Sequence, residues 1–216
     1  MTKSFLALFT FLSAAVLAGC AGQIRGNHSG ADAGRVIVGL GAAEGTNFHA
    51  VTMYYRRIDP NAAPGDRRPV GSFTSYHGLT LMRATQARDY ANDKDSGVVL
   101  VQSIPAGDYE MHSFKVDIGG GNYTPTAAFS VRFTVRPGEA VYLGNYQTYS
   151  AQWTDIHGRT VTGGPRFAVS NRLDSELALA RAKAKDIPAT VTNGMPDLRS
   201  LRGPLFIAAA APAGSR

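Results

Sequence analysis

Residues 129–135 show the clearest hydrophobic pattern in the chain, a strict alternation of apolar and polar side chains. The apolar positions are Phe129, Val131, Phe133 and Val135, and the polar positions between them are Ser130, Arg132 and Thr134. Successive side chains of a β-strand point to opposite faces, so this pattern predicts a strand with one buried and one solvated face.

Other segments of the chain are similarly rich in β-branched and aromatic residues, which favour strands. They are 35–40, 48–58, 71–77, 97–104, 107–118, 127–135 and 140–149, with 151–157 and 160–170 as two further candidates. No helical pattern lies between these short runs. We therefore predict a mainly β fold, an antiparallel β-sandwich, because a parallel sheet would need helical crossovers.

Turn residues separate the predicted strands. Ile104-Pro105-Ala106-Gly107 and Val135-Arg136-Pro137-Gly138 both place a proline, which presets φ, before a glycine that tolerates positive φ. Residues 117–122, Asp-Ile-Gly-Gly-Gly-Asn, join two strand-like runs. We expect a hairpin that pairs 107–118 with 127–135.

One C-terminal α-helix is predicted over residues 172–186. Asn171 is a suitable N-cap residue, and Asp174 and Glu176 lie near the positive end of the helix dipole. Basic residues in the last turns suit the negative end of the dipole, and apolar residues at helical spacing form a stripe that can pack on the sandwich. They are Arg181, Lys183 and Lys185 for the charges, and Leu173, Leu177, Ala180 and Ala184 for the stripe. Pro188 ends the pattern.

The predicted domain, residues 35–187, is flanked on each side by a segment of different amino-acid composition. Residues 20–34 are rich in Gly, Ala and polar residues, which predicts a flexible tether. Residues 188–216 contain several prolines and an Ala-rich end, which predicts an extended or disordered tail. Leu205 to Ile207 is a short apolar patch in that tail, and we expect it to be dispensable for folding.

The N-terminus has the order of an export signal. Lys3 precedes an apolar run, residues 5–17, that is too short to span a bilayer as a helix. Leu17-Ala18-Gly19-Cys20 follows directly and resembles the lipobox of bacterial lipoproteins. The alternative is an ordinary secretory signal with a chance cysteine near the cleavage site.

The lipobox resemblance implies a signal peptide of residues 1–19 and a lipid anchor on Cys20. In that family the cysteine thiol carries a diacylglyceride, the signal is cut before the cysteine, and the new amine is acylated. Two or more acyl chains hold a protein stably on a membrane, whereas one does not. Ala21 stands where the family's inner-membrane proteins have aspartate. The resemblance thus implies the outer membrane of a Gram-negative cell, with another bacterial surface as the alternative.

The net charge and the single cysteine limit the chemistry and the partner classes that we expect for this protein. Cys20 is the single cysteine, so its acylation would leave no thiol for disulfides, redox chemistry or nucleophilic catalysis. The net charge is +6, but the basic residues are scattered, and nucleic acid is not an expected partner outside the cytoplasm. The expected partners are the membrane, through the anchor, and an envelope protein or a cell-wall glycan.

A second resemblance to a known family rests on three stretches of the sequence. They are Pro-Ala-Gly-Asp-Tyr at 105–109, Arg-Pro-Gly-Glu-Ala-Val-Tyr-Leu-Gly at 136–144, and residues 169–182, which include the start of the predicted helix. Together they are similar to uncharacterised bacterial lipoproteins with a prealbumin-like or carboxypeptidase-regulatory-like β-sandwich. The likeness covers roughly residues 97–187. It implies an immunoglobulin/prealbumin-like fold and no particular activity.

Two predicted loops resemble ligand-binding motifs, but neither matches its motif fully. Residues 39–45, Gly-Leu-Gly-Ala-Ala-Glu-Gly, have Glu44 where a dinucleotide-binding fingerprint needs glycine, so we predict a hairpin loop. Residues 89–97 cluster Asp89, Asn92, Asp93 and Asp95, oxygen ligands that suit calcium. Lys94 and Leu100 stand where an EF-hand loop needs Gly and Glu, and an acidic turn is the favoured interpretation.

Catalytic chemistry has no sequence signature here. The histidines are far apart, and neither Gly-x-Ser-x-Gly nor Ser-x-x-Lys occurs. His112 shares a predicted strand face with Phe114, Val116 and Ile118, so a half-buried structural role is expected for it. We predict no catalytic residue, cofactor or metal ligand.

A weak binding surface is predicted from aromatic residues. Tyr142 and Tyr146 alternate on one face opposite Val141 and Leu143, with Tyr149 and Trp153 nearby. Such rings can stack on sugars or contact a protein, and the competing interpretation is that they pack inside the sandwich.

The sequence therefore predicts a lipid-anchored envelope protein with a non-enzymatic β-sandwich that binds or supports partners. One alternative is a carbohydrate- or small-ligand-binding lipoprotein. The other is a hydrolase whose site is assembled from distant residues, which would require a pocket that gathers a histidine, a carboxylate and a nucleophile.

Overall fold

The computed structural model describes residues 27–58, 71–78, 86–201 and 205–208. Their elements are twelve strands and one α-helix. The strands are β1 (Ala33–Ala43), β2 (Ala50–Arg57), β3 (Gly71–Tyr76), β4 (Tyr90–Ala91), β5 (Asp95–Pro105), β6 (Gly107–Asp117), β7 (Asn122–Tyr123), β8 (Val131–Val135), β9 (Ala140–Thr154), β10 (Thr160–Ser170), β11 (Val191–Asn193) and β12 (Phe206–Ala208). The helix, α1, is Leu173–Lys183.

The strands form two sheets that pack face to face, so the predicted class, a mainly β sandwich with one C-terminal helix, is confirmed. The first sheet has the order β12-β10-β9-β1-β5-β4, with β11 also beside β9. The second has the order β3-β2-β6-β7, with β8 also beside β6. Most pairs are antiparallel, but β1 with β9, β9 with β11, and β10 with β12 are parallel. The strands of the second sheet lie between β1 and β9 along the chain, so this parallel pair needs no helical crossover.

Apolar side chains from both sheets fill the space between them. The alternation in β8 is confirmed: Val131, Phe133 and Val135 are buried, and Arg132 and Thr134 are exposed. Hairpin pairing is confirmed as well, since β8 runs antiparallel to β6 from Gly107↔Val135 to Met111↔Val131. Aromatic rings dominate this core. Phe114 meets Phe167 edge-on at 4.5 Å between centroids, and Tyr109 stacks on Phe133 at 5.4 Å.

The predicted flexible tether is wrong in its second half. Asn27 forms a β-bridge with Ser103 of β5, and the backbone N–H of His28 donates to the Ser103 carbonyl at 2.9 Å. The Ser103 hydroxyl in turn donates to the His28 carbonyl. β1 then begins at Ala33. Residues 27–34 are therefore docked on the sandwich, and the sequence could not show this because His28 and its partner Ser103 are 75 positions apart. Residues 20–26 and the signal segment, 1–19, lie outside the described residues.

Two parts of the tail, which we predicted to be extended or disordered, are ordered strands that pair with the first sheet. β11 pairs with β9, and β12 pairs with β10 in register Phe167↔Phe206. Leu205 is buried in the core, and the ring of Phe206 meets that of Phe129 at 5.5 Å. The patch that we expected to be dispensable therefore completes one edge of the first sheet.

Leu205→Ala is expected to lower the free energy of unfolding by about 2 kcal/mol or more, because it removes buried methylenes and leaves a cavity. Leu198→Ala is the matched control in the same tail, since Leu198 is 45% exposed and should lose no more than about 0.5 kcal/mol. Urea unfolding of the two variants checks this. Equal midpoints would show that the 205–208 segment contributes nothing to the fold.

The helix is shorter than predicted. The N-cap residue is Arg172 and not Asn171 as predicted, and no side-chain hydrogen bond is made from the N-cap. Asn171 lies one residue earlier, where its side-chain oxygen accepts a hydrogen bond from the Leu173 N–H at 3.1 Å. The helix ends at Lys183 instead of 186 because Ala184 is in an extended conformation. Beyond this point Asp186 pairs with Arg35 of β1. Within the described ranges, no helix has the length and apolar character needed to cross a bilayer.

Candidate functional site

The tyrosines predicted to form a binding surface are buried. Tyr142 and Tyr146 have no exposed surface. The prediction that they share a face is also wrong, because β9 carries a bulge at Gly144, whose φ is +103°. Ile37 pairs with Tyr142, but Gly39 pairs with Asn145, so β9 has one extra residue there.

That extra residue reverses the faces of β9 after the bulge. Tyr146 joins Val141 and Leu143 in the core between the sheets, while Tyr142 points outward and packs under α1. Tyr149 is half-buried, and the side chain of Trp153 lies outside the description. The competing interpretation, packing inside the fold, is therefore correct for Tyr142 and Tyr146.

A polar cluster lies between α1 and the first sheet, centred on Glu176. This carboxylate is 2% exposed and accepts hydrogen bonds from the Tyr142 hydroxyl at 2.8 Å and from Asn145 Nδ2 at 2.5 Å. The Tyr90 hydroxyl accepts from both Asn145 Nδ2 and Gln147 Nε2. We had placed Glu176 at the helix end as a dipole partner, but its side chain faces the sheet. Its spacing after Leu173 and before Ala180 puts it on the apolar stripe, and this was the available signal.

Glycines in β1 make room for the cluster. A Cβ on Gly39 would overlap both carboxylate oxygens of Glu176 and Asn145 Nδ2, and one on Gly41 would overlap the Gln147 amide. Both glycines belong to the 39–45 stretch, which we predicted to be a hairpin loop. Gly39 and Gly41 instead lie within β1, and only Glu44 and Gly45 form the turn. They serve the close approach of buried polar side chains to the strand.

Ion pairs surround the cluster and account for the acidic 89–97 segment. Arg172 donates to Asp95 at 2.7 Å and lies 5.6 Å from the centre of the Tyr90 ring. Lys183 pairs with Asp89, which also accepts the Val99 N–H at 2.6 Å. These carboxylates face the protein's own cations, as expected for an acidic turn that docks a helix. Within the described ranges, no three His, Cys, Asp or Glu side chains are grouped to hold a metal.

Burial dominates the electrostatics of this cluster. Loss of solvent raises the pKa of Glu176 above its ordinary value, although the Tyr142 and Asn145 hydrogen bonds and the Arg172 charge oppose the shift. Burial likewise raises the pKa of the Tyr142 hydroxyl, which therefore stays protonated and donates. An enclosed group of this kind has no access to a ligand. It fixes α1 on the sheet.

A cavity of about 360 Å³ opens on the outer face of the second sheet, at β2, β6 and the approach to β8. We call it the β2–β6 cavity, and it is lined by Arg56, Glu110, His112, Ala128, Phe129 and Ser130. Its volume lies at the lower end of the range for small-ligand sites. Strand register places Arg56 opposite Glu110, so the two ionic groups meet on this face.

Hydrogen bonds fix the carboxylate of Glu110 at the centre of the cavity. Arg56 Nε donates to Oε1 at 2.6 Å, and the Ser130 hydroxyl donates to Oε2 at 2.5 Å. Burial raises the pKa of Glu110, but these two hydrogen bonds and the charges of Arg56 and His112 outweigh it, and the net pKa is lowered. Glu110 is consequently an ionised acceptor and a poor base at neutral pH.

The position of His112 corrects another prediction. β6 has a bulge where its pairing with β2 shifts between Tyr54↔Ser113 and Tyr55↔Met111. Met111 and Phe114 both point into the core as a result. His112 does not share the face of Phe114 and lines the β2–β6 cavity. It is half-buried, as predicted.

The cavity gathers the residue types of a hydrolase but not their contacts. A serine nucleophile needs its proton accepted by a base such as histidine, whereas Ser130 donates to a carboxylate of lowered pKa. A serine–histidine pair does occur elsewhere, with Ser75 Oγ 2.9 Å from His77 Nε2. Burial lowers the pKa of His77 to about 4, but Ser75 has no exposed surface for a substrate. Neither serine therefore has the contacts and the exposure that a serine nucleophile needs.

A second concavity of about 300 Å³ lies where β8 and β11 border opposite sheets. Arg132 and Arg136 contribute its positive charge, and Glu139 lies 3.6 Å from Arg136. Both side chains of this ion pair are half or more exposed, so solvent screens their charges. The concavity lacks the enclosed carboxylate that distinguishes the β2–β6 cavity.

No protein-family model and no curated protein matches this chain. The functional interpretation therefore rests on the N-terminal motif and on the geometry of the described residues.

Proposed function

We propose that this chain is a lipid-anchored cell-envelope protein, placed in the outer membrane, whose β-sandwich is a non-enzymatic binding or structural module. The observation that carries the proposal is Leu-Ala-Gly-Cys at 17–20, directly after the apolar run 5–17. Acylation of Cys20 with two or more chains supplies stable attachment, which reversible binding by one chain does not. Ala21 in place of aspartate supports the outer membrane.

The docked N-terminal segment supports a short link between anchor and domain. Asn27 is already paired with Ser103 of β5, and it lies seven positions after Cys20. A fully extended chain advances about 3.3–3.6 Å per residue, so this link reaches at most about 25 Å. The sandwich would stay close to the membrane surface, with the Ser103 end of β5 nearest to the anchor.

The β2–β6 cavity supports a binding role for the second sheet. α1 covers β1 and β5 of the first sheet, whereas the outer face of β2 and β6 carries polar side chains such as Thr52 and Arg56. A concave site with a few convergent polar groups is the most favourable feature of such a surface for ligand binding. An envelope glycan or protein is the partner class.

Cys20→Ser is expected to abolish lipid attachment, because it removes the thiol that forms the thioether to diacylglyceride. Metabolic labelling with a fatty acid and intact-mass analysis of both forms measure this. Wild type should incorporate label and lack residues 1–19, while the variant should stay unlabelled and keep them or be cut inefficiently. An unlabelled wild-type protein with a free thiol would refute the anchor.

Ala21→Asp is the matched control, since it leaves the thiol in place. It should retain the lipid label and move from the outer-membrane to the inner-membrane fraction. If neither fraction changes, the outer-membrane placement loses its support while the anchor itself stands.

A further inference from the structure

We propose that the β2–β6 cavity binds a neutral, hydroxyl-rich saccharide. This inference rests on the proposed function, namely that the sandwich is a binding module, and it names the ligand class of that module. In this cavity Arg56 and the enclosed carboxylate of Glu110 are already paired with each other before any ligand arrives. Its lining then decides which ligand chemistry it can accept.

The charges of Arg56 and Glu110 neutralise each other, which disfavours an ionic ligand. Arg56 contacts Glu110 Oε1 through both Nε at 2.6 Å and its terminal nitrogen at 2.5 Å. A phosphate or carboxylate entering the cavity would meet the ionised Glu110, and a cation would meet Arg56. Either ion would lose hydration, and the Arg56 or Glu110 charge that it met would already be paired.

The hydrogen-bonding groups suit a ligand whose hydroxyls both donate and accept. Glu110 is an ionised acceptor held in place from two sides, and charge-assisted hydrogen bonds of this kind are stronger than neutral ones. The hydroxyl of Ser130 can rotate to accept a hydrogen bond as well as donate one. An apolar ligand would bury these groups without replacing their contacts with water, and this is costly.

Phe129 and Ala128 supply the apolar part of the lining. The Phe129 ring is half-buried and is held by Phe206, at 5.5 Å and 82°, and by Phe114, at 6.1 Å. A ring fixed in this way offers a surface for the C–H groups of a sugar ring, which carry slight positive charge and are attracted to π-electrons. Polar groups beside an aromatic ring are complementary to the two kinds of surface that a pyranose presents.

The test is titration calorimetry on the full-length protein in a detergent without a sugar headgroup. The neutral probes are triacetylchitotriose, maltotriose, galactotriose and mannotriose. Chitotriose, which is the deacetylated cationic form, and trigalacturonate are the charged counterparts of similar shape. We expect at least one neutral probe to bind with a dissociation constant of about 1 mM or tighter. Each charged probe should bind at least about tenfold more weakly than its neutral counterpart, which corresponds to a difference of about 1.4 kcal/mol in binding free energy.

Variants assign the binding to the cavity. Glu110→Gln removes the charge of the acceptor, and Ser130→Ala removes an exposed hydroxyl without touching the core, so it keeps the test valid if the first variant is unstable. Both should weaken neutral-probe binding about tenfold. Asp108→Asn is the control, because Asp108 lies two residues earlier in β6, pairs with Thr134 at 2.7 Å, and does not line the cavity. It should bind like wild type.

The contrary outcomes differ in what they overturn. Tighter binding of a charged probe, lost in Ser130→Ala, would refute the neutral-saccharide assignment and leave the binding module in place. Binding that Asp108→Asn weakens as much as Ser130→Ala would refute the assignment to this cavity. No binding of any probe would refute both the saccharide proposal and the cavity as the site of the module, while the Cys20 labelling result would remain independent.

Discussion

Phe133→Ala is expected to lower the free energy of unfolding by about 3–5 kcal/mol, the usual cost of truncating a buried phenylalanine. Phe133 is 6% exposed, stacks on Tyr109 at 5.4 Å, and meets the Tyr55 ring edge-on at 6.2 Å. The variant loses these contacts and leaves a cavity between the sheets. For a chain of this size the expected drop in melting temperature is about 6–20 °C.

Arg132→Ala is the matched control for the same strand. Arg132 is exposed and points to the opposite face, so its replacement should change stability by no more than about 0.5 kcal/mol. Urea unfolding followed by circular dichroism measures both variants. Similar losses at the two positions would contradict the register of β8 against β6 and, with it, the orientation of the cavity face.

Where a strand is regular, the hydrophobic pattern was enough to assign its faces. In β8 the two-residue period of apolar side chains decides which face is buried, and Phe133 and Arg132 lie where the pattern predicts. β6 and β9 each contain a bulge, and one extra residue reverses every side chain after it. This explains why Tyr146 and His112 were assigned to the wrong faces. The glycine at position 144 was a local sign of the bulge in β9, and the structure gives it a positive φ.

Pairings between distant segments could not be inferred from the sequence. β12 has three residues, too few for a recognisable period, and it is held by its pairing with β10 and by the packing of Phe206 on Phe129 and Phe167. The same holds for Asn27 on β5. Their stability comes from contacts supplied by a preformed sheet edge, and a local pattern carries no information on that edge.

The candidate site was missed for the same reason. Arg56, Glu110 and Ser130 lie on β2, on β6 and just before β8, and each is unremarkable in its own segment. Only the register of three strands brings them together, and that register depends on the bulge in β6. The anchor motif at Cys20 is the opposite case, because four consecutive residues after an apolar run contain the whole signal.

Gly39→Ala is expected to lower the free energy of unfolding by about 2–4 kcal/mol. Alanine in an extended strand would by itself be favourable by about 0.5–1 kcal/mol, because glycine loses more conformational freedom on folding. Here the new methyl group would overlap Glu176 and Asn145, so one of these side chains must move. Overpacking costs about 1–3 kcal/mol, and each buried polar group left without a partner costs about 1–3 kcal/mol more. The unfavourable effects therefore exceed the favourable one.

The contrast with Gly121→Ala isolates the role of the buried carboxylate. A Cβ on Gly121 would have no other heavy atom within 4 Å, so this substitution should change stability by no more than about 0.5 kcal/mol. Hydrogen exchange adds a local measurement. In Gly39→Ala the amides of α1 should exchange faster relative to those of β6, because Glu176 lies on α1 and β6 belongs to the other sheet. If the Gly39 and Gly121 variants were equally stable and α1 kept its protection, Glu176 could not lie against β1, and the polar cluster would not be what holds the helix.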